Sequence, residues 1–483
     1  MTDTLRHQLY IDGRWADATS GVVVDDVNPA TGAVYARVPN ASASDVDRAI
    51  DAAHRARIGW RSLVASEREG VLLRAAEIVE QRRKKLVDCL IDESGSTFGK
   101  AMFEVGYVAD LLRVAAGECR RICAETLPMT MRGQFGMTVR QPLGVIAGIT
   151  PFNAPFLLAM KKVAFALATG NTFVLKPSED APVIGLEIAR IFHTAELLPG
   201  ALNVVPGSGP EVGKRLVNDP RVRMVTFTGS LKVGRELAAE AARKMKRFTM
   251  ELGGKNPLVV LADADLDYAV RAACFGTYFH QGQVCMANSK IIVERPLFDR
   301  FCDAFVSRSR SMKVGDPHDP TTVIGPLIRR SQCGFIDAQI ENAVGRGAKL
   351  LTGGKHHGNF YEPTVLSHVT PEMRIYHEET FGPVTSVIAA RDADHALALA
   401  NDTSFGLSSA VITNDLQQAM RFAMELEAGM VHVNDCTVAD EPHVPFGGAR
   451  DSGVGREGGR YSVDEMTELK WITIQQGKRT FPF

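Results

Sequence analysis

The chain predicts an α/β protein built on doubly wound parallel sheets. Between Leu143 and Leu261, short runs that are nearly all apolar alternate with runs of helical period. A second alternation of the same kind begins near Asp265 and continues to about Val433. A strand apolar along its whole length has both faces covered, which is what a parallel sheet between two helix layers requires. Ligands in such sheets bind beyond the carboxyl ends of the strands, and the residues that carry chemical potential here sit where strand candidates end.

Taken in order, residues 9–38 hold short alternating segments broken at Asp12-Gly13, Asn28-Pro29 and Thr31-Gly32, and read as small strands or hairpins at an edge. From Ser44 to about Ile122 the period becomes helical, with Val46, Ile50 and Ala53 and then Val71, Leu72, Ala75, Ala76, Ile78 and Val79 on buried faces. Glu125 to Arg140 carries Pro128 and two glycines and predicts a strand or hairpin projecting from the body. Five strand candidates follow, Gly144–Ile149, Thr172–Lys176, Leu202–Val205, Val222–Phe227 and Pro257–Leu261, with helices predicted over 156–169, 183–195, 210–218 and 231–243. Paired glycines at Leu252-Gly-Gly254, after a strand-like Phe248–Glu251, place a boundary between the two α/β units. In the second unit the strands are Lys290–Val293, Val384–Ala389, Ser409–Thr413 and Met430–Val433. The tail, Leu469 to Ile474, is rich in β-formers and is expected to pair with the hairpin near residues 125–140.

At 483 residues the chain exceeds one ordinary core. Its 45% hydrophobic and 23% charged content is that of a globular protein, and a formal net charge of -1 gives no electrostatic case for nucleic acid or an anionic membrane. The expected ligand is therefore small. Met1 to Tyr10 lacks the apolar core of a leader, and the most apolar run, Phe156 to Ala168, is interrupted by Lys161 and Lys162 and is too short to span a membrane. Eight cysteines are scattered without zinc-type spacing, which points to reduced thiols in the cytoplasm and to no structural metal. His356-His357, the single histidine pair, reads as an exposed loop.

Five stretches could carry chemistry, and each has an ordinary reading beside the functional one. Phe279-His-Gln-Gly-Gln-Val-Cys-Met286 sets Cys285 after a Gly-containing turn that follows a helical run, Asp265 to Tyr278; it is either a nucleophile or an inert core thiol. Phe227-Thr-Gly-Ser230 with Val233-Gly234 ends a strand and opens a helix, as an anion site or simply as a turn. Lys176-Pro-Ser-Glu179 offers an ammonium and a carboxylate to a ribose, or else Ser178 and Glu179 cap the next helix. In Pro151-Phe-Asn-Ala-Pro155 the Asn153 amide can donate to a developing oxyanion or can merely shape a turn. Glu251, at a strand end before two glycines, is a general base if burial raises its pKa and a surface carboxylate otherwise.

The joint order of Asn153, Lys176, Gly229, Glu251, Cys285, Glu378-Glu-Thr-Phe-Gly-Pro383 and Pro445-Phe-Gly-Gly448 resembles the aldehyde dehydrogenase superfamily along nearly the whole chain. Met250-Glu-Leu-Gly-Gly-Lys255 followed by Gly282-Gln-Val-Cys285 is its most specific pair, and the ending Thr467–Ile474 is similar to the aromatic branch that oxidises vanillin, salicylaldehyde and benzaldehyde. The resemblance implies two doubly wound domains and a small β oligomerisation element. Residues 1–119 and 142–250 would bind the dinucleotide, 251–463 would hold the catalytic centre, and 120–141 with 464–483 would form an arm joining a homodimer or homotetramer.

By that resemblance Cys285 attacks the aldehyde, Asn153 and the Cys285 backbone N–H form the oxyanion hole, and Glu251 activates the hydrolytic water. Lys176, Ser178, Glu179, Gly229, Ser230, Glu379 and Phe381 fall at positions that hold NAD, with NADP as an alternative. Three departures stand out. Phe152 replaces a tryptophan, Leu231-Lys232 replaces a hydroxyl and an acid near the adenosine end, and Lys161 takes a position often aromatic in the substrate tunnel. Lys161 would accommodate a polar or acidic substituent on the substrate or be structural, and Lys162 matches a lysine lining the active-site region. A CoA-acylating relative would lack Glu251, and a non-catalytic relative would have lost Cys285 or Asn153.

Overall fold

The computed structural model describes residues 5–483; Met1–Thr4, part of the stretch read as lacking a leader's apolar core, lie outside the described residues. Two large sheets carry the architecture. The first has eight strands in the order Gly453–Val454, Arg247–Glu251, Val222–Thr228, Val145–Ile149, Thr172–Lys176, Leu202–Val204, Leu9–Ile11 and Arg14–Ala16. Its five central strands are parallel and its outermost ones antiparallel. Side chains alternate across it as strand geometry demands. Ile146, Phe173 and Leu175 join the core under the helices Ala65–Gln81, Phe98–Glu118, Pro155–Ala168 and Pro182–Thr194. Val145, Ala147, Val174 and Val225 join the opposite core, which takes in the helix Ala43–Ser62.

The second sheet has seven strands in the order Lys349–Thr352, Thr364–Ser367, Val384–Ala390, Lys290–Glu294, Pro257–Val260, Ser408–Ile412 and Met430–Val433, parallel except for the first. It too is covered on both faces, by Leu266–Tyr278 and Arg295–Arg310 on one and by Ala393–Asn401 and Leu416–Glu425 on the other. The fold class is the expected doubly wound α/β. The tail strand Thr467–Gln475 pairs along its length with Gln134–Pro142, which also pairs with Thr126–Leu127, so the predicted hairpin and tail make one three-stranded arm.

Three local differences have physical causes. The helix predicted over 210–218 divides into a π-type turn, Gly209–Gly213, and a short helix, Lys214–Asn218, because glycines at both ends of the first segment and Pro210 weaken a regular start. His356 and His357 form a strand of a small exposed hairpin rather than a loop, with His356 beside Asp337 at 3.2 Å. The helix after Lys176 is not capped by Ser178 or Glu179. Glu93 reaches across from another helix, and its carboxylate accepts from the backbone N–H groups of Val183 and Ile184.

Candidate active site

The strand Val145–Ile149 lies between a neighbour that precedes the next helix pair and one that follows it, so a crevice opens beyond its carboxyl end. Three of the five stretches meet that crevice. Asn153 follows Ile149, Lys176 ends the adjacent strand, and Gly229-Ser230 follows the strand on the other side. Glu251 ends the next strand over, and Leu252 N–H donates to the Ser452 carbonyl at 2.9 Å, which anchors the chain as it leaves the first sheet. The second sheet begins six residues on, at Pro257, and Asn256 there donates to the Cys285 carbonyl at 2.7 Å. The cysteine thus approaches the carboxyl edge of one sheet from the amino edge of the other.

The approach to Cys285 is made by an unusual turn. The helix Leu266–Tyr278, capped by Asp265 accepting from Tyr268 N–H at 2.9 Å, ends at Tyr278. His280, Gln281 and Gly282 then all take left-handed backbone angles, φ 50°, 56° and 69°. Non-glycine residues at such angles are strained and persist only where surroundings hold them. Here Gln281 is pinned by donating its amide to the carbonyls of Gly95 and Pro326, at 2.9 and 3.0 Å. Only glycine fits at 282, since a Cβ would lie 2.1 Å from the Gly382 carbonyl oxygen.

Cys285 and Asn153 line one cavity of about 760 Å³, whose wall is mostly apolar: Leu157, Phe279, Val284, Met286, Val438 and Phe446 among others. That is the size and character of a small-molecule site. Burial pushes the Cys285 thiol up, and the carboxylates of Glu379, Glu251 and Asp440 add to the shift. The thiol therefore needs a base or an arriving cation before it becomes a thiolate.

Asn153 is held from behind. Lys100 donates to its backbone carbonyl at 2.8 Å and pairs with Glu104 one turn along the same helix. The other oxygen of Glu104 accepts from Phe156 and Leu157 N–H, both at 2.9 Å, and so caps the helix that follows Asn153.

Glu251 is buried, and neither carboxyl oxygen has a hydrogen-bond partner. Burial pushes its pKa well above the ordinary carboxyl range and the nearby Glu457 raises it further, against the pull of Lys162, Lys161 and Arg456. It lies behind the cavity rather than among the residues that line it. Lys162 pairs with Glu457, whose same oxygen accepts from Thr226 Oγ1 at 3.1 Å. Lys161, also buried, donates to both oxygens of Asp440 at 2.9 Å.

The stretches expected to hold the cofactor offer the donors and acceptors that a dinucleotide would use. The helix Leu231–Arg243 begins at Ser230, whose hydroxyl accepts from Val233 N–H at 3.5 Å, and its N-terminus offers free N–H groups to a pyrophosphate. Gly229 lacks the Cβ that would press on the Phe227 ring at 2.5 Å. Lys176 is buried and meets only the Pro177 carbonyl at 3.2 Å and Glu179 at 3.8 Å, with Glu179 half exposed and also accepting from Gly209 N–H. The Ser178 hydroxyl turns back to accept from Asp180 N–H. Glu379 accepts from Gly254 N–H at 3.1 Å and burial pushes its carboxyl up to about 7. Phe381 packs edge-on against Phe152 at 5.8 Å, joining the 379–381 turn to the Asn153 loop. Lys232 is exposed beside Ser230.

Glu104, Asp440 and Glu457 are the residues that reading the sequence missed. A signal for them existed. Every position of the helix Pro155–Ala168 is buried, two adjacent lysines included, so each ammonium required a carboxylate from elsewhere. Lys100 and Glu104 likewise sit one turn apart on a helix whose neighbouring positions are apolar.

Residues 15–472 match the model of the aldehyde dehydrogenase family. A benzaldehyde dehydrogenase of Bacillus subtilis is 41% identical over 478 residues, covering 99% of this chain and 99% of the relative. The crystal structure of a salicylaldehyde dehydrogenase from Pseudomonas putida G7, complexed with salicylaldehyde, superposes with a TM-score of 0.97 at 37% identity, covering 99% of this chain and all of that one. A betaine aldehyde dehydrogenase of Staphylococcus aureus in complex with NAD+ superposes with a TM-score of 0.96 at 32% identity, covering 99% and 96%.

Proposed function

As the chain belongs to the aldehyde dehydrogenase family, we propose that it oxidises an aromatic aldehyde to the carboxylic acid with NAD(P), through a covalent intermediate on Cys285. The observation that carries this is the apolar cavity of about 760 Å³ whose wall includes both the free thiol of Cys285 and Asn153. NAD, when bound, accepts the hydride. Lys176 and Glu179 would hold one ribose, Gly229 and Ser230 the pyrophosphate, and Glu379 the second ribose, with Phe381 buttressing that turn. The carboxylate of Glu179 favours NAD, and Lys232 leaves NADP within reach.

Glu251 takes the Cys285 thiol proton and passes it to solvent, Sγ adds to the aldehyde carbon as the C=O π bond opens, and the resulting oxyanion is received by the Asn153 amide and the Cys285 N–H. Losing one such donor costs about 10²–10³ in rate. When the hydride departs, the carbon remains as a thioester on Cys285. Glu251 then takes a proton from water as the water attacks, the C–S bond breaks, and the acid leaves. Burial and Glu457 raise its pKa, which makes it the stronger base once ionised, and this role requires its side chain to turn from behind the cavity toward the thioester.

The same reading includes a homo-oligomer formed through the arm. On the edge strand Thr467–Gln475, Leu469 and Trp471 share one face and are 61% and 63% exposed, with Ile474 on the other face 48% exposed, apolar surface that a partner would cover. It also includes a cytoplasmic location, supported by eight cysteines that are all unpaired. Among the described residues no helix is long and apolar enough to cross a membrane.

The test follows NADH or NADPH formation with benzaldehyde-type and short aliphatic aldehydes, for wild type and Cys285→Ala. Turnover of aromatic aldehydes that disappears in the variant is expected. Undiminished turnover by Cys285→Ala would sink the mechanism, and a clear preference for aliphatic semialdehydes would sink the substrate.

A further inference from the structure

Several charged residues line the substrate cavity, Lys100, Glu104, Arg271, Arg308 and Glu441 among them, and Asp440 is the one the mechanism above does not use whose charge bears on Cys285. It is close enough to the nucleophile for its charge to be felt at the thiol. Lys161 donates to Oδ1 and Oδ2 at 2.9 Å each, and the Tyr107 hydroxyl donates to Oδ2 at 2.8 Å. Lys161 is itself enclosed, with its ammonium 4.5 Å from the centre of the Phe446 ring and its side chain wholly buried, while the Asp440 side chain stays 10% exposed. An ammonium so engaged cannot receive an acidic ring substituent. Of the two readings of Lys161 in the sequence, the structural one fits this buried pair, and the charged group on the cavity wall is the Asp440 carboxylate rather than a cation.

A carboxylate has about four acceptor positions. Three hydrogen bonds from two donor groups are accounted for, two of them on Oδ2, which leaves Oδ1 with Lys161 alone. The surrounding wall, Val438, Met286 and Phe446, is apolar. When an aromatic ring fills the cavity, water leaves, and the spare acceptor is stranded unless the ring itself brings a donor.

We propose that Asp440, oriented by Lys161 and Tyr107, is a specificity-determining residue that accepts a hydrogen bond from a hydroxyl group on the substrate ring, so that the preferred substrates are hydroxylated benzaldehydes. This rests on the aromatic reading above. A neutral phenolic O–H satisfies Oδ1; an ether or halogen at the same place leaves it unpaired, and an anionic substituent is repelled.

The experiment measures kcat/KM of the wild type for the 2-, 3- and 4-hydroxybenzaldehydes, each against its methoxy and fluoro counterpart, with benzaldehyde alongside. The methoxy group preserves the oxygen without the donor, and fluorine controls for bulk. One hydroxyl isomer is expected to exceed both counterparts by about 10- to 100-fold, the range of a hydrogen bond to a charged group. In the variant Tyr107→Phe/Lys161→Met/Asp440→Leu, which replaces the whole buried cluster with apolar groups of similar size, that ratio should fall below about threefold.

Equal turnover of hydroxy, methoxy and fluoro substrates by the wild type would overturn the role of Asp440 and leave the aromatic reading standing. A ratio unchanged in the triple variant would also overturn it. Turnover of aliphatic but no aromatic aldehydes would bring down both. The wild-type series decides by itself if the triple variant does not fold.

Discussion

Replacing Glu104 tests whether Asn153 is held in position from behind. Glu104 and Lys100 are buried, 0% and 4% exposed at the side chain, and together they make three bonds to the Asn153 loop and the helix after it. In Glu104→Ala the Lys100 ammonium keeps only Ser96 Oγ at 3.0 Å and the Asn153 carbonyl at 2.8 Å, and Phe156 and Leu157 N–H lose their acceptor. Breaking a buried pair from one side costs about 3–5 kcal/mol; burial already lowers the Lys100 pKa, so the lysine sheds its proton and relieves part of that cost. In Glu104→Gln an oxygen remains for the two N–H groups, and the loss should be about 1–2 kcal/mol. If the loop shifts by about 1 Å, activity falls by up to 10². The readouts are kcat at saturating aldehyde and amide hydrogen exchange at Phe156 and Leu157. Ala should lower kcat by about 10²-fold and expose both amides, and Gln should recover most of each. Fast exchange at the two amides in Glu104→Ala, with kcat within twofold of wild type, would refute the link between this pair and Asn153.

Three further substitutions test the same geometry. Glu251→Gln should give a burst of reduced nicotinamide and then slow turnover, because the thiol proton can still leave to solvent while hydrolysis stalls; a linear time course at the wild-type rate would contradict its role. The folded pKa of Glu251 is raised, so the stability tied to its protonated form is complete below the ordinary carboxyl range and is lost as pH rises through the raised value. Glu251→Gln should therefore resist heat inactivation better than wild type at alkaline pH, with the two converging as pH falls toward about 4. Gly282→Ala forces a Cβ against the Gly382 carbonyl at a left-handed position and should cost more than about 2 kcal/mol, seen as loss of soluble, active protein; a stable variant with wild-type kinetics would count against that turn. Trp471→Glu puts a charge on the exposed apolar surface of the arm and should lower the molar mass seen by light scattering, whereas an unchanged mass would argue that the arm is not an interface.

Legibility followed period and covering. The strands of both sheets were readable because strands buried on both faces are apolar throughout, as at Val145–Ile149 and Lys290–Glu294. The two parts of the arm were readable because each carries a local signal, β-formers along Leu469 to Ile474 and Gly and Pro punctuation in Glu125 to Arg140. Less of the site was readable. Cys285, Asn153 and Lys176 announce themselves through short-range punctuation by Gly and Pro. Asp440 and Glu457 do not, since their meaning lies in partners roughly three hundred residues away, Lys161 and Lys162, and residue chemistry does not identify a long-range partner. Glu93 was hidden for the same reason. A helix N-terminus announces its need for a cap, and nothing local tells that a carboxylate from another helix will meet it.

The strand ending in Glu251 has Thr228 on one side and Gly453 on the other. Its second neighbour comes from near the end of the chain. A ribosome making about 5–20 residues each second needs roughly 10–40 s to add the two hundred residues between them. Through that interval the nascent first sheet carries an open edge, with backbone N–H and C=O groups ready to pair with another chain. Glu457 and Asp440 arrive equally late, so Lys161 and Lys162 wait for their counter-charges over the same span. The groups that surround Cys285 and Glu251 are thus completed late, and a chain cut short before residue 453 would hold the Cys285 thiol without a closed sheet behind it. Such a fragment would present a thiol and an unpaired strand edge together, and is expected to aggregate more readily than the full chain.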